Sequence, residues 1–328
     1  MGINPAQVTD AMRRRIEQSR TEEPLPVPHK HYQNSYRILN LGAGVQSTTV
    51  ALMGLKNWEY WHYAESLPYP AVGLIDYAIF ADTQEEPKAV YAHLEWLKRE
   101  IGQFIEVMVR SAGSLGDNLV KGISLSNHRF VSIPAFTAKA EGEKLGIMQR
   151  QCTSEYKVNV VERTIRREIL GLEPGQRIRA DVEFVQIYGL SYDEAGRIAR
   201  VRARKYCEVA FPLFDMEMTR GGCKAWLSKH YPDRNVPRSA CVFCPYRSNS
   251  EWRTVRQVPQ DWARAVEIDR AIRDHDLTCT KGLNQRLYLH PDCVPLDQVD
   301  LDDPETKERK KGQEMFGFLQ ECEGMCGV

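Results

Sequence analysis

The stretch RILNLGAGVQSTTVALM, residues 37–53, decides the fold. Ile38, Leu39 and Leu41 form an apolar strand, Gly42 and Gly44 break it, and a Ser-Thr-Thr cluster opens a run of helix formers. A glycine turn between strand and helix presents backbone N–H groups at a helix N-terminus, which suits an anion such as a phosphate. A Walker A loop needs a lysine before its Ser or Thr, and Gln46 stands there instead. A Rossmann turn, G-x-G-x-x-G, finds Gly42 and Gly44 but meets Ser47 at its third position. The acidic residue that such a turn expects about 20 positions on is also missing, since the next strand ends only at Asp82.

Outward from this turn the chain alternates. RILNL, YAIFAD, FIEVMV and EFVQIYGL read as strands and RFVSIPAF as extended, while STTVALMGL, PKAVYAHLEWLKREIG, SLGDNLVKGI and SEYKVNVVERTIRREIL read as helices. In the second helix Val90, Leu94, Leu97 and Ile101 fall on one face, with Pro87 at its start. Apolar strands alternating with helices predict an α/β fold: a parallel five-stranded sheet with helices on both faces. A small, irregular, cysteine-containing C-terminal region completes it. The expected division is an N-terminal extension over residues 1–35, a nucleotide-binding domain over 36–205 and the C-terminal region over 206–328. The extension, with Arg13 to Arg15 and EEPLPVPH, reads as a short helix and linker. The C-terminal region holds two helices, MTRGGCKAWLSKHY and DWARAVEIDRAIR, with SACVFCPY between them and ECEGMCGV at the end.

The 328 residues carry no net charge and are 42% hydrophobic and 27% charged, as in a soluble globular protein. Zero net charge counts against a general nucleic-acid binder, although a local basic groove stays open. No run of about 18 apolar residues is present, so no membrane partner is expected. The N-terminus lacks the apolar core of a secretion signal, and Ala6 breaks the myristoylation pattern. The chain is therefore expected in the cytoplasm, with its nine cysteines as reduced thiols serving as ligands or redox groups.

A third loop type, S-G-G-x-D-S, holds the pyrophosphate of an ATP cleaved between its α and β phosphates. Gly42-Ala43-Gly44-Val45-Gln46-Ser47-Thr48 resembles it, with Gly42 replacing the first Ser and Gln46 the Asp. Because the donors are mostly main-chain amides, the physics survives both changes. Asp82, ending the second strand in FADTQEEP, is the candidate for the nucleoside or metal with Thr83 assisting; its bland alternative is a helix cap ahead of Pro87. RQCTSEYK sets Cys152 just before a helix, whose positive end lowers a thiol pKa, with Arg150 and Lys157 nearby. Cys241 and Cys244 form a C-x-x-C pair, a pattern shared by zinc, iron–sulfur and redox sites. In IYGLSYDEAGR, Gly189, Ser191, Asp193, Glu194 and Arg197 are candidates for the far wall of the pocket. Arg197 could stabilise phosphate charge in a transition state; the alternative is a surface turn capped by Asp193. The eight histidines show no ligand spacing.

Taken in order, the phosphate loop, FADT, QCTSEYK, GLSYDEAGR and CVFCPY resemble the phosphoadenosine phosphosulfate (PAPS) reductase-like branch of the adenine nucleotide α-hydrolases, from about residue 37 to about residue 290. The resemblance implies ATP and Mg2+ as ligands of the loop. Members that reduce adenylyl sulfate carry Cys-Cys where this chain has Gln151-Cys152, and four thiolates there hold a [4Fe–4S] cluster. With Cys152, Cys241 and Cys244 as three ligands, one iron would be open, as in ATP-dependent sulfurtransferases of the superfamily that bind a sulfide there. The fallback is no cluster, with Cys152 as a persulfide carrier and the Cys241/Cys244 pair resolving it or binding Zn2+. The leading expectation is an ATP-dependent sulfurtransferase that adenylates a carbonyl of a nucleobase or purine-like small molecule, guanine being one, and replaces the oxygen with sulfur. Its sulfur would come from a cysteine desulfurase-type donor protein or from sulfide, and a homodimer is left open. The alternatives are a PAPS or adenylyl-sulfate reductase, a nucleic-acid sulfur-modification component such as DNA phosphorothioation machinery, and a catalytically idle nucleotide binder. The reductases end in a Glu-Cys-Gly tail that Cys322 resembles by position, or Cys322 could be a fourth cluster ligand; Cys326 is additional. Cys207, Cys223, Cys279 and Cys293 read as packing or incidental thiols.

Overall fold

In β1 (Ser35–Leu41) Leu39 and Leu41 face one side of the sheet and Ile38 the other, and all three are buried. In β2 (Tyr77–Asp82) Ala78 and Phe80 join the first side, Ile79 and Ala81 the second. That double burial marks the interior of a parallel sheet. The computed structural model describes residues 35–61, 66–123, 125, 132–198, 201, 206–273 and 285–302. The expectations for the N-terminal extension, Cys279, Cys322 and Cys326 lie outside the described residues.

With β3 (Glu106–Ser111), β6 (Glu183–Tyr188) and β7 (Glu208–Ala210), the five parallel strands run in the order β3-β2-β1-β6-β7. Helices α1 (Val45–Tyr60), α2 (Lys88–Ile101) and α5 (Arg220–His230) cover one face. Val90, Leu94, Leu97 and Ile101 of α2 are buried there, as their spacing predicts. The other face is covered by α4, residues 154–169, through Val160, Val161 and Ile165. This helix is not uniform. It is a π-helix over Ser154–Val158, an α-helix over Asn159–Thr164 and again a π-helix over Ile165–Ile169.

RFVSIPAF, read as extended, adds no described strand to the parallel sheet; its last residue, Phe136, opens β4 (Phe136–Ala138). β4 is the middle of a separate antiparallel sheet between β5 (Lys144–Ile147) and β8 (Arg286–Tyr288). The fifth parallel strand is instead β7, which lies beyond residue 205. A third core, built on Tyr156, Phe243 and Trp252, joins α3 (Leu115–Val120) to α6 (Asn249–Arg256), α7 (Pro259–Arg273) and β8. Among the described residues no helix is long and apolar enough to cross a membrane.

From β1 the chain steps through β2 to β3 on one side, and β6 and β7 lie on the other. The direction of winding therefore reverses at the β1–β6 boundary, beyond whose carboxyl ends ligands of such sheets bind. Residues 42–47 follow β1 at that edge, and residues 189–194 follow β6.

Candidate functional site

The phosphate loop is short and fully packed, with every residue from Leu41 to Val50 buried. Gly42 N donates to Ser47 Oγ (3.2 Å), Ser47 Oγ donates to Gly44 O (3.4 Å), and Thr48 N donates to Gly44 O (3.0 Å), so α1 starts as the turn closes. The structure adds a third departure from S-G-G-x-D-S. Ala43 stands at the first glycine and takes φ +56°, a left-handed conformation that costs a residue with a Cβ about 1 kcal/mol. Gly189, just past β6, sits against this loop. A Cβ there would lie 2.8 Å from Ser47 N and 2.9 Å from Ser47 Cα. Gly189→Ala should therefore force the loop and β6 apart and cost about 1–3 kcal/mol in denaturant unfolding. An unchanged midpoint would count against the close approach.

Thr48 Oγ1 lies 3.0 Å from His93 Nε2 on α2. Burial, with a smaller push from Arg234, lowers the His93 pKa from 6.5 to about 4. The folded state thus holds the ring neutral where the unfolded chain would protonate it. The resulting stability is complete above pH 6.5 and is lost as pH falls toward about 4, at a total of about 3 kcal/mol. Melting temperature should drop across this window in the wild type, and His93→Gln should flatten that slope; equal slopes would contradict the assignment.

Gln46 is fully buried and fully engaged. Its Nε2 donates to Glu194 Oε2 (2.6 Å) and Ser191 Oγ (3.1 Å), and its Oε1 accepts from Arg220 Nη1 (3.2 Å). Glu194 also pairs with Arg197. The candidate residues Gly42, Ala43, Gly44, Gln46, Ser47, Thr48, Gly189, Ser191 and Arg197 therefore gather where the turn after β1 packs on the turn after β6. Asp193 accepts from Arg220 N (3.1 Å). The Asp82 carboxylate, at the end of β2, accepts from Gln84 N (2.7 Å) and Tyr91 OH (2.9 Å); it does not cap α2, whose N-cap is Pro87.

The three candidate cysteines converge. Cys152, Cys241 and Cys244 line one cavity with Thr83, Arg150 and Lys157, over an apolar wall that includes Leu115, Ile133 and Phe243. Thr83, next to Asp82, turns its Oγ1 to Cys241 Sγ (3.2 Å). Burial pushes the Cys241 thiol well up; Glu86 adds to this, while Lys157 and the Thr83 hydroxyl oppose it. Lys157 and Glu86 form a buried ion pair (3.7 Å), and Ser239 Oγ donates to Glu86 Oε2 (3.2 Å). Behind the C-x-x-C turn, Arg247 Nη2 donates to Ala240 O and Cys241 O (2.9 Å each), and Cys244 N donates to Cys241 O (2.9 Å). Val242 N docks this turn on Glu85 O (2.8 Å). The Glu85 carboxylate in turn accepts from Gly116 N (3.0 Å) and Arg264 Nη2 (2.6 Å), fixing α3 and with it Leu115. Cys152 opens the first turn of the helix leading into α4, its N–H donating to Ser132 O (2.6 Å). Cys207, Cys223 and Cys293 are buried in the apolar cores, as packing thiols.

The chain matches no protein-family model and no curated protein. Among the described residues no group of three His, Cys, Asp or Glu side chains is arranged to hold a metal ion. An iron–sulfur cluster asks for thiolates spread around one space. The lining brings three thiols and two cations together without a carboxylate, side-chain types that such a cluster uses. Sequence reasoning missed Glu86, Ser239 and Arg247. Only their proximity to the cysteines marks them, and that arises from the fold.

Proposed function

We propose that the chain is an ATP-dependent sulfurtransferase acting on a carbonyl of a nucleobase or purine-like small molecule. The observation that carries this reading is the meeting of Cys152, Cys241 and Cys244 in one cavity, beside the carboxyl edge of a parallel sheet that bears a phosphate-type loop. The loop amides between Ala43 and Ser47 would receive the β and γ phosphates, with Arg197 and Arg220 near the developing charge. Attack of the acceptor oxygen on the α phosphate releases pyrophosphate and makes that oxygen part of a leaving group, AMP. Hydrosulfide then forms the carbon–sulfur bond as the carbon–oxygen bond breaks, AMP departs with the bonding electrons, and loss of the sulfur proton leaves the thiocarbonyl. Lys157 and Arg150 line the cavity with the three cysteines and would offset charge on any of them that ionised. A [4Fe–4S] cluster on these three thiolates would supply an open iron position for the sulfide.

Protein purified anaerobically should be brown, absorb broadly at about 400 nm and contain about four irons per chain with matching acid-labile sulfide. Colourless, iron-free protein after anaerobic reconstitution would remove the cluster. Release of sulfite from PAPS without ATP would replace the transferase by a reductase.

A further inference from the structure

Gln46 is where the loop departs from its acidic pattern, and a specific residue answers it across the crevice. Gln46 Nε2 meets Glu194 Oε2 at 2.6 Å, and that same oxygen accepts from Ser191 N and Ser191 Oγ at 3.3 Å each. The other Glu194 oxygen takes Arg197, while Arg220 donates to Gln46 Oε1 (3.2 Å). Gln46 and Ser191 are fully buried and Glu194 is 9% exposed. The space also cannot widen freely, because Gly189 already sits against the main chain of Gln46 and Ser47. A carboxylate at position 46 would thus face the Glu194 carboxylate at hydrogen-bonding distance in a buried site, where holding both ionised is costly until the pair takes up a proton. An amide is the one side chain of this shape that donates to Glu194 and accepts from Arg220 at once.

We propose that Gln46 and Glu194 are a matched pair that positions the pyrophosphate-binding loop, the carboxylate that the loop pattern carries at position 46 being provided here from the 191–194 turn. Gln46 is a positioning residue: it acts through the backbone of the loop, which Ser47 closes by accepting from Gly42 N and donating to Gly44 O. Arg197 balances Glu194 on one side. Arg220, tied through its backbone N–H to Asp193, completes the pair on the other. The inference rests on the reading of residues 42–48 as a pyrophosphate-binding loop.

The test is a charge swap in the full-length chain, read by calorimetric titration with inorganic pyrophosphate and by thermal unfolding. Gln46→Glu alone should weaken pyrophosphate binding about tenfold or more near neutral pH, and this loss should shrink as pH falls toward about 5 and the carboxyl pair takes up a proton. Adding Glu194→Gln, which restores one amide opposite one carboxylate, should return affinity to within about threefold of wild type and remove the pH dependence. A merely structural defect would show no such pH profile and no such rescue. Losses in affinity and melting temperature that simply add in the double variant overturn the pairing. If Gln46→Glu does not fold, recovery of folding by Glu194→Gln supports the pair, and failure of both variants overturns it. Wild-type protein that binds neither pyrophosphate nor ATP refutes the loop reading instead; the melting-temperature cycle over the same four proteins then decides the pairing by itself.

Discussion

Replacing Lys157 with methionine is expected to destabilise the fold by about 3–5 kcal/mol. The Lys157 and Glu86 side chains are only 6% and 1% exposed, so the pair has already given up its water. Removing the ammonium leaves a buried carboxylate with the Ser239 hydroxyl and the more distant charge of Arg247 to offset it. The double variant Lys157→Met with Glu86→Gln removes both charges and should regain most of that loss, because a buried pair is costly to break but cheap to replace as a unit. Denaturant unfolding of the three proteins checks both statements. A single-variant loss under about 1 kcal/mol would mean that water reaches the pair.

Cys152→Ala should abolish sulfur transfer while leaving pyrophosphate affinity within about twofold of wild type. The thiol lines the cavity with Cys241 and Cys244, and the phosphate loop is held elsewhere, by Ser191, Glu194, Arg220 and the close approach of Gly189. The Cys152 side chain is partly exposed, and the bond from its backbone N–H to Ser132 survives the change, so folding should be little affected. Mass spectrometry of candidate acceptors after incubation with ATP and sulfide reads the activity. Thiocarbonyl formation by the variant would strip Cys152 of its role. Loss of pyrophosphate binding alongside activity would point to a rearranged loop.

Much of the sheet could be read from the residues because a strand buried on both faces leaves no polar alternation. Ile38 and Leu39 point to opposite faces and both have no exposed surface. β7 has only three residues, with Glu208 exposed, so nothing in its composition sets it apart from a loop. β4 exists because Phe136 pairs with Tyr288, a partner that no local pattern can name. At the site, motifs identified Cys152, Cys241 and Cys244 by type, while their convergence followed from a resemblance. The contacts between them were hidden for a physical reason: the Thr83 hydroxyl reaches Cys241, and Lys157 reaches Glu86, through the order of strands and not through spacing. Gln46 looked like a defect in the loop because its meaning lies in Glu194, on the far side of the switch point. Asp82, a candidate ligand by position, has one carboxylate oxygen, Oδ1, held by Gln84 N and Tyr91 OH, with Gln84 at φ +63°.

The π-helical opening of α4 alters how distance along the chain converts to direction in space. Cys152 and Lys157 are five positions apart, which on an α-helix, at about 100° per residue, would aim them about 140° away from each other. Over Ser154–Val158 the backbone is wound more widely, and Asn159 N reaches back to Ser154 O. In such i→i+5 winding, positions five apart come round to nearly the same side, and both residues do line the cavity. The segment behaves as an ordinary helix into which one extra residue has been wound without lengthening its path. Counting residues from the cysteine to its cation therefore misjudges their relation unless the pitch is known. A single deletion between them would return the segment to ordinary α-helical pitch, with the two residues four positions and about 40° apart. Here the spelling of the motif matters less than the rate at which the backbone turns.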